Sequence, residues 1–301
     1  MTLQQLRQVL TIAESNSMNE AAKKLFVSQP NLSATVREVE EELGITVFMR
    51  NNRGITVTAE GEEFLGYAKQ VVEQYHLLEN RYLNVESKKK FSVSMQHYSF
   101  AVKAFVQLAK EVGMDEYEFA VHETKTKEVI DNVKNLKSEI GVLYLSDFNE
   151  KVLRKLFKEC DIEFKELFTC NTYVYLWKKH PLAGQKEITL DDLQEYPCLT
   201  FEQGVNNSFY YAEEMMSTYE YKRVIKADDR ATMLNLMVGL NGFTLCSGII
   251  SEDLNGYDYA AIPLKESEKM HIGYIKHKGT KLSKLGEIYI DALKNYENKV
   301  L

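Results

Sequence analysis

No stretch of the chain holds the roughly 20 consecutive apolar residues that a helix needs to cross a bilayer, which excludes a membrane-spanning helix. Proline is scarce, four in 301 residues, and there is no low-complexity tract, so disordered and fibrous classes are set aside. The four cysteines, Cys160, Cys170, Cys198 and Cys246, are scattered without a CxxC pair. The six histidines show neither HExxH nor a Cys/His cluster, so no metal and no cofactor are expected. The opening MTLQQLRQVLTIAES lacks the basic-then-apolar layout of a secretory signal, and with unpaired cysteines this favours the cytoplasm. P-loop, GxSxG and GxGxxG signatures are missing, which argues against an enzyme.

A basic excess is also lacking: 37 basic against 44 acidic side chains give a net charge of −7. Most of the deficit falls late in the chain. Residues 1–58 carry six basic and six acidic side chains, residues 59–90 five and six, and residues 91–301 carry 26 and 32. Contact with a polyanion would therefore rest on a few placed residues and not on a polycationic surface.

What is present divides into three parts: a head over 1–58, a linker helix and hinge over 59–90, and an α/β region over 91–301. In the head, Thr2 with Gln5 and Ser17 with Glu20 read as capping boxes opening two short helices. Ser28 can cap a third that carries Pro30 in its first turn, ends at Gly44 and turns Leu32, Val36, Val39 and Leu43 inward. The β-rich arms of TVFMRNNRGITVT flank a turn with Arg50 and Arg53. A short helix, a turn and a second helix with small polar residues at its start suit the major groove. Gln29 and Asn31 can read adenine, Thr35 can touch a thymine methyl, and Ser28, Pro30 and Ser33 complete the helix start. Arg50 and Arg53 would reach the backbone or minor groove.

Thr58 can cap the next helix, where Phe64, Ala68, Val71, Tyr75, Leu78, Tyr82 and Val85 alternate at steps of four and three. This is the seam of a two-helix interface and predicts a homodimer. Beyond it, β-rich runs (FSVSM, EFAVHE, IGVLYL, ELFTC, YVYLW, CLTF, RVIKA, FTLCS, AAIPL, HIGYIKH) alternate with helices predicted near 99–112, 125–136, 189–194, 207–218, 230–240 and 282–297.

Residues 1–66 resemble the winged helix-turn-helix of LysR-type transcriptional regulators, with SMNEAAKKL, VSQPNLS, VEEELG, VFMRNNRG and VTAEG as landmarks. The likeness continues weakly through KKHPLAGQKEITLDDLQEYPCLTF and VGLNGFTLCSGII. It implies a dimerising linker helix, a periplasmic-binding-protein-like effector domain of two α/β subdomains, and a homotetramer. The subdomains would span about 91–163 with 267–301, and 164–266. It also implies promoter DNA and a small-molecule effector as partners, with RNA polymerase added for an activator. Two features depart from the family: Ala34 stands where many members carry a basic residue, and Ser247 with Gly248 replaces a common proline. An enzyme or solute-binding sensor with an appended DNA-binding head is the alternative.

In a two-lobed binder the ligand sits between strand ends and helix starts. That places Tyr98, Ser99, Thr124, Tyr144, Thr200, Phe201, Gln203 and Asn207 in the effector site. Ser99 and Thr124 would be hydroxyl donors, Tyr144 and Phe201 walls, and Gln203 or Asn207 amide contacts.

Overall fold

A computed structural model describes residues 1–15, 17–51, 54–82, 88–113, 116–206 and 208–296. They form two compact units, Met1–Ser87 and Lys88–Leu301. The linker helix thus belongs with the head and not to a segment of its own.

In the first unit α1 (Leu3–Ala13) starts at the expected capping box, Thr2 Oγ1 accepting Gln5 N and Gln5 Oε1 accepting Thr2 N. α2 (Met18–Lys24) is capped by Ser17, and α3 (Gln29–Leu43) by Ser28, with Gly44 at φ +69° ending it. Val9, Ile12, Ala21, Ala22, Leu32, Val36 and Val39 make the core of the three helices. Leu43 does not join them; it is exposed, one turn past the point where α3 still faces α1 and α2. The wing is an antiparallel pair, β1 (Phe48–Asn51) and β2 (Gly54–Val57). α4 (Ala59–Tyr82) follows, with Thr58 Oγ1 accepting Gly61 N at 2.8 Å as its cap. Gly61 must be glycine, because a Cβ there would lie 2.4 Å from the Val47 carbonyl oxygen.

In the second unit, β3 (Lys89–Met95), α5 (Ser99–Val112), β4 (Tyr117–Glu123), α6 (Thr126–Lys134) and β5 (Ile140–Leu145) build a parallel βαβαβ run. α7 (Glu150–Glu159) and β6 (Ile162–Cys170) follow. The chain then crosses to a second lobe of β7 (Tyr173–Trp177), β8 (Cys198–Phe201), β9 (Val224–Ala227), α8 (Arg230–Leu240), β10 (Thr244–Cys246), α9 (Glu252–Asn255) and β11 (Tyr259–Pro263). It returns through β12 (Met270–His277) and α10 (Lys284–Lys294). The first lobe is a five-stranded sheet in the order β4-β3-β5-β12-β6, with β12 antiparallel to both neighbours. The second holds β10-β7-β11 and the parallel pair β8-β9.

All ten β-rich runs of the sequence become strands, but two helical expectations change and two unplaced helices appear, the shorter at Glu252–Asn255. Residues 150–159 form a helix that the sequence reading did not place, and 189–194 tightens to a single 3-10 turn at Asp192–Glu195. The predicted helix at 207–218 is absent apart from a 3-10 turn at Phe209–Tyr211, because Glu213 and Glu214 are pulled into the interior. The lobe boundary also moves: β6 is paired with β12 along its whole length, so the crossing falls after Cys170 and not at 164. At the crossing, Thr172 N donates to Ser267 Oγ and Thr172 Oγ1 donates to the Glu268 carbonyl, both at 2.8 Å, while Leu264 N donates to Thr172 O at 3.2 Å. The outgoing and returning chains are laced together there.

Candidate functional site

The first candidate surface is the start of α3. Ser28 serves as its cap. Pro30 and Asn31 are exposed, Gln29 and Thr35 half-buried, and Thr35 Oγ1 donates back to Asn31 O at 3.2 Å. Ser33 is buried and accepts a hydrogen bond from Gln29 Nε2 at 2.8 Å. It therefore positions the glutamine and does not itself present a hydroxyl outward. The face formed by Pro30, Ala34 and Arg37 follows helical spacing and is exposed. Arg37 was missed in the sequence reading, although its place one turn beyond Ala34 is readable as an (i, i+3) neighbour. Lys24 is engaged within the head, pairing with Glu20 at 2.9 Å and donating to Ser15 Oγ at 3.2 Å.

Two acidic residues of α3, Glu40 and Glu38, are engaged within the head. Glu40 Oε1 accepts Val47 N at 2.7 Å and Phe48 N at 3.0 Å, tying the root of the wing to the middle of α3. Glu38 accepts Gln5 Nε2 at 2.9 Å. Arg50 stands on β1 opposite Ile55, whereas Arg53 lies outside the described residues.

α4 carries two apolar stripes where one seam was predicted. Leu65, Ala68 and Val72, with Phe64 beside them, pack against Leu3, Leu6 and Leu10 of α1. Phe64 and Ala68 are consumed within the chain, because the short three-helix head needs a fourth helix to cover α1. Tyr67, Val71, Tyr75, Leu77 and Leu78 point outward, Val71 with 51% and Leu78 with 55% of their surface exposed. The Arg7 guanidinium lies 5.4 Å from the Tyr75 ring centroid and pairs with Glu79 at 3.3 Å. Tyr82 ends the described helix and Val85 lies outside the described residues.

The second candidate site is a cavity of about 90 Å³ between the two lobes of the second unit. Tyr98, Ser99 and Phe201 from the predicted set line it, together with His97, Glu213, Glu214, Arg230 and Tyr175, which the sequence reading did not single out. His97 stacks on Phe201 with ring centroids 3.7 Å apart and planes at 5°. Glu213 Oε2 accepts His97 N at 2.9 Å and lies 2.8 Å from His97 Nδ1, while its Oε1 accepts Gln203 Nε2 at 3.0 Å. Gln203 Oε1 in turn accepts Thr126 N at 3.1 Å. Its amide therefore joins the lobes and is not offered to a ligand. Tyr144 likewise lies outside the cavity lining, its hydroxyl donating to Ala212 O at 3.0 Å. Tyr98 touches the cavity with its ring, its hydroxyl donating to Gln96 Oε1 at 2.9 Å. Thr124 is off the cavity and donates to Glu128, Thr200 lines a different hollow beside Met215 and Tyr219, and Asn207 lies outside the described residues. Arg230, at the start of α8, forms an ion pair with Glu123 across the lobes.

Burial, reinforced by neighbouring Glu213, pushes the Glu214 carboxyl up from 4.5 to about 8, while Phe201 N donates to it at 2.8 Å. The folded state therefore keeps a proton that the unfolded chain has already lost at intermediate pH. Stability contributed by this group falls as pH rises between about 4.5 and 8 and is level above that. The melting temperature of the parent should drop relative to Glu214→Gln between pH 5 and 8; a difference between the two that does not vary with pH would refute the assignment. Burial also pushes the Cys170 and Cys246 thiols up to about 12, which keeps them protonated and unreactive near neutrality.

Two family descriptions match the chain: the bacterial regulatory helix-turn-helix protein of the lysR family over residues 3–62, and the LysR substrate binding domain over residues 113–297. The HTH-type transcriptional regulator CysL of Bacillus subtilis is 26% identical, covering 98% of each chain. The transcriptional dual regulator GltC of Bacillus subtilis is 30% identical over 68% of this chain and 66% of its own. Among solved structures, a full-length OxyR variant from Pseudomonas aeruginosa aligns with a TM-score of 0.69 at 19% identity, covering 98% of this chain and 95% of that one.

Proposed function

We propose a mode of action for a chain that belongs to the LysR family of transcriptional regulators, with a helix-turn-helix DNA-binding domain and an effector-binding domain and no enzymatic role. Two heads joined through α4 hold two promoter half-sites, and a small molecule between the lobes of the second unit changes how the subunits are arranged. Such a switch works only through unequal affinity of the ligand for two conformations. Pairing of dimers into a tetramer, action in the cytoplasm and, for an activator, contact with RNA polymerase complete the reading. No described helix is long and apolar enough to cross a membrane.

One observation carries the DNA-binding part of this scheme. The exposed start of α3 presents Gln29, Pro30 and Asn31, with Arg37 one turn beyond Ala34, while Glu40 fixes the wing to the same helix. Gln and Asn amides pair with adenine edges, and an arginine farther along the helix suits phosphate. In this chain Arg37 supplies the positive charge that Ala34 lacks.

The test is binding of the full chain to the promoter fragment beside its own coding region, titrated against salt. Arg37→Ala should weaken binding about tenfold and reduce the slope of log affinity against log salt by about 1. An unchanged slope would remove Arg37 from the interface, and no specific retention by the parent at any salt would overturn the DNA reading.

A further inference from the structure

The charges around the interlobe cavity do not balance. Arg230 is neutralised by Glu123. Glu213 takes three donors, two from His97 and one from Gln203. Glu214, with only 5% of its surface exposed, is met by backbone amides, that of Phe201 at 2.8 Å and those of Glu213 and Glu214, but by no cationic side chain among the described residues. A buried carboxylate without a cation is costly, so such a group either holds a proton or meets a positive charge brought by a ligand.

A second group around the same cavity also lacks a partner. Tyr175 lines it with 9% of its surface exposed, and its hydroxyl faces the Asn255 side chain without forming a well-aligned hydrogen bond. Buried hydroxyls are normally paired, so this one is ready to meet a polar ligand atom. Between these groups the walls are apolar, formed by Phe100, Met233, Leu245 and Ile249.

We propose that the cavity takes a small molecule carrying a primary ammonium group, seated against Glu214, and a second hydrogen-bonding group that meets Tyr175. This rests on the cavity being the effector site. An anionic ligand would gain little there: Arg230 is already paired with Glu123, and the start of α5 offers only roughly half a positive charge. The volume limits the ligand to roughly six to nine heavy atoms, because a water-sized group takes about 10–15 Å³ of such a cavity.

Three probes of matched length and different charge test this by thermal shift on the full chain: 4-aminobutan-1-ol, 4-hydroxybutanoate and butane-1,4-diol. The amino alcohol should raise the melting temperature by about 2–5 °C at roughly ten times its Kd. Glu214→Gln, a neutral isostere that should melt no lower than the parent at pH 7, should weaken that binding at least tenfold. Tyr175→Phe, which removes only the unpaired hydroxyl, should weaken it too, so the proposal does not depend on one variant folding. Stabilisation by the carboxylate probe, equal stabilisation by the diol, or no shift from the amino alcohol up to about 50 mM would each overturn the proposal. Retention of the promoter fragment by the same preparation separates those failures from failure of the regulator reading.

Discussion

A chain carrying both Val71→Glu and Leu78→Glu is expected to run as a monomer in sizing chromatography. It should also bind a two-half-site promoter fragment on the order of 100-fold more weakly than the parent. Both side chains are more than half exposed on the outward stripe of α4, while the inward stripe through Ala68 and Val72 holds the helix on α1. The substitutions should therefore leave the helical circular dichroism and the melting temperature of the head nearly unchanged. An isolated exposed apolar residue needs no explanation, but Tyr67, Val71, Tyr75 and Leu78 form a contiguous stripe at steps of four and three. Placing four glutamates in the shared seam of a dimer adds repulsion as well as removing burial. The loss of linkage accounts for the drop in DNA affinity, since each head then binds its half-site alone. A dimer that persists would show that this stripe is not the interface.

Glu213→Ala should lower the melting temperature of the second unit by about 6–12 °C, from a loss of about 3 kcal/mol. Glu213 takes His97 and Gln203 together, and both partners come from segments that close the cleft. Truncation leaves the His97 backbone amide and the Gln203 side chain without acceptors in a buried setting, which costs about 1–3 kcal/mol for each group. Relief of repulsion from Glu214 offsets little of this near neutrality, because Glu214 is then largely protonated. Differential scanning calorimetry of the full chain should show the unfolding of the second unit shifting while that of the head stays in place. Glu213→Gln, which keeps an acceptor, should lose distinctly less. Equal losses for the two substitutions would show that packing, and not hydrogen bonding, holds the cleft at this point.

Much of the fold was legible in the sequence because local chemistry and tertiary packing agree. Thr2, Ser17, Ser28 and Thr58 all cap helices in the places their spacing suggests, and the ten β-rich runs all pair. The α4 seam was legible as a period but not as a destination. Phe64 and Ala68 obey the same spacing as Val71 and Leu78, and only the presence of α1 decides which stripe is already covered. The cleft was far less legible. Ser99 and Phe201 could be placed by the rule that ligands meet strand ends and helix starts. Glu213 and Glu214 sit in a stretch whose composition suits a surface helix, and their burial depends on His97, Gln203 and Phe201 from remote segments. No local periodicity encodes a contact between residues more than 100 positions apart, such as that of His97 with Glu213.

The lacing between Thr172 and residues 264–268 bears on how the second unit can move. Two separate linkers would let one lobe roll, slide and swing against the other. Two adjoining strands stitched by hydrogen bonds act more like a door hinge, stiff against shear and torsion and soft in a single bend. The mouth of the cleft therefore has one easy coordinate. Distances between spin labels placed on the two lobes should change together along that coordinate when a ligand enters, and a ligand that fits poorly should leave the lobes part-way along it without sending them elsewhere.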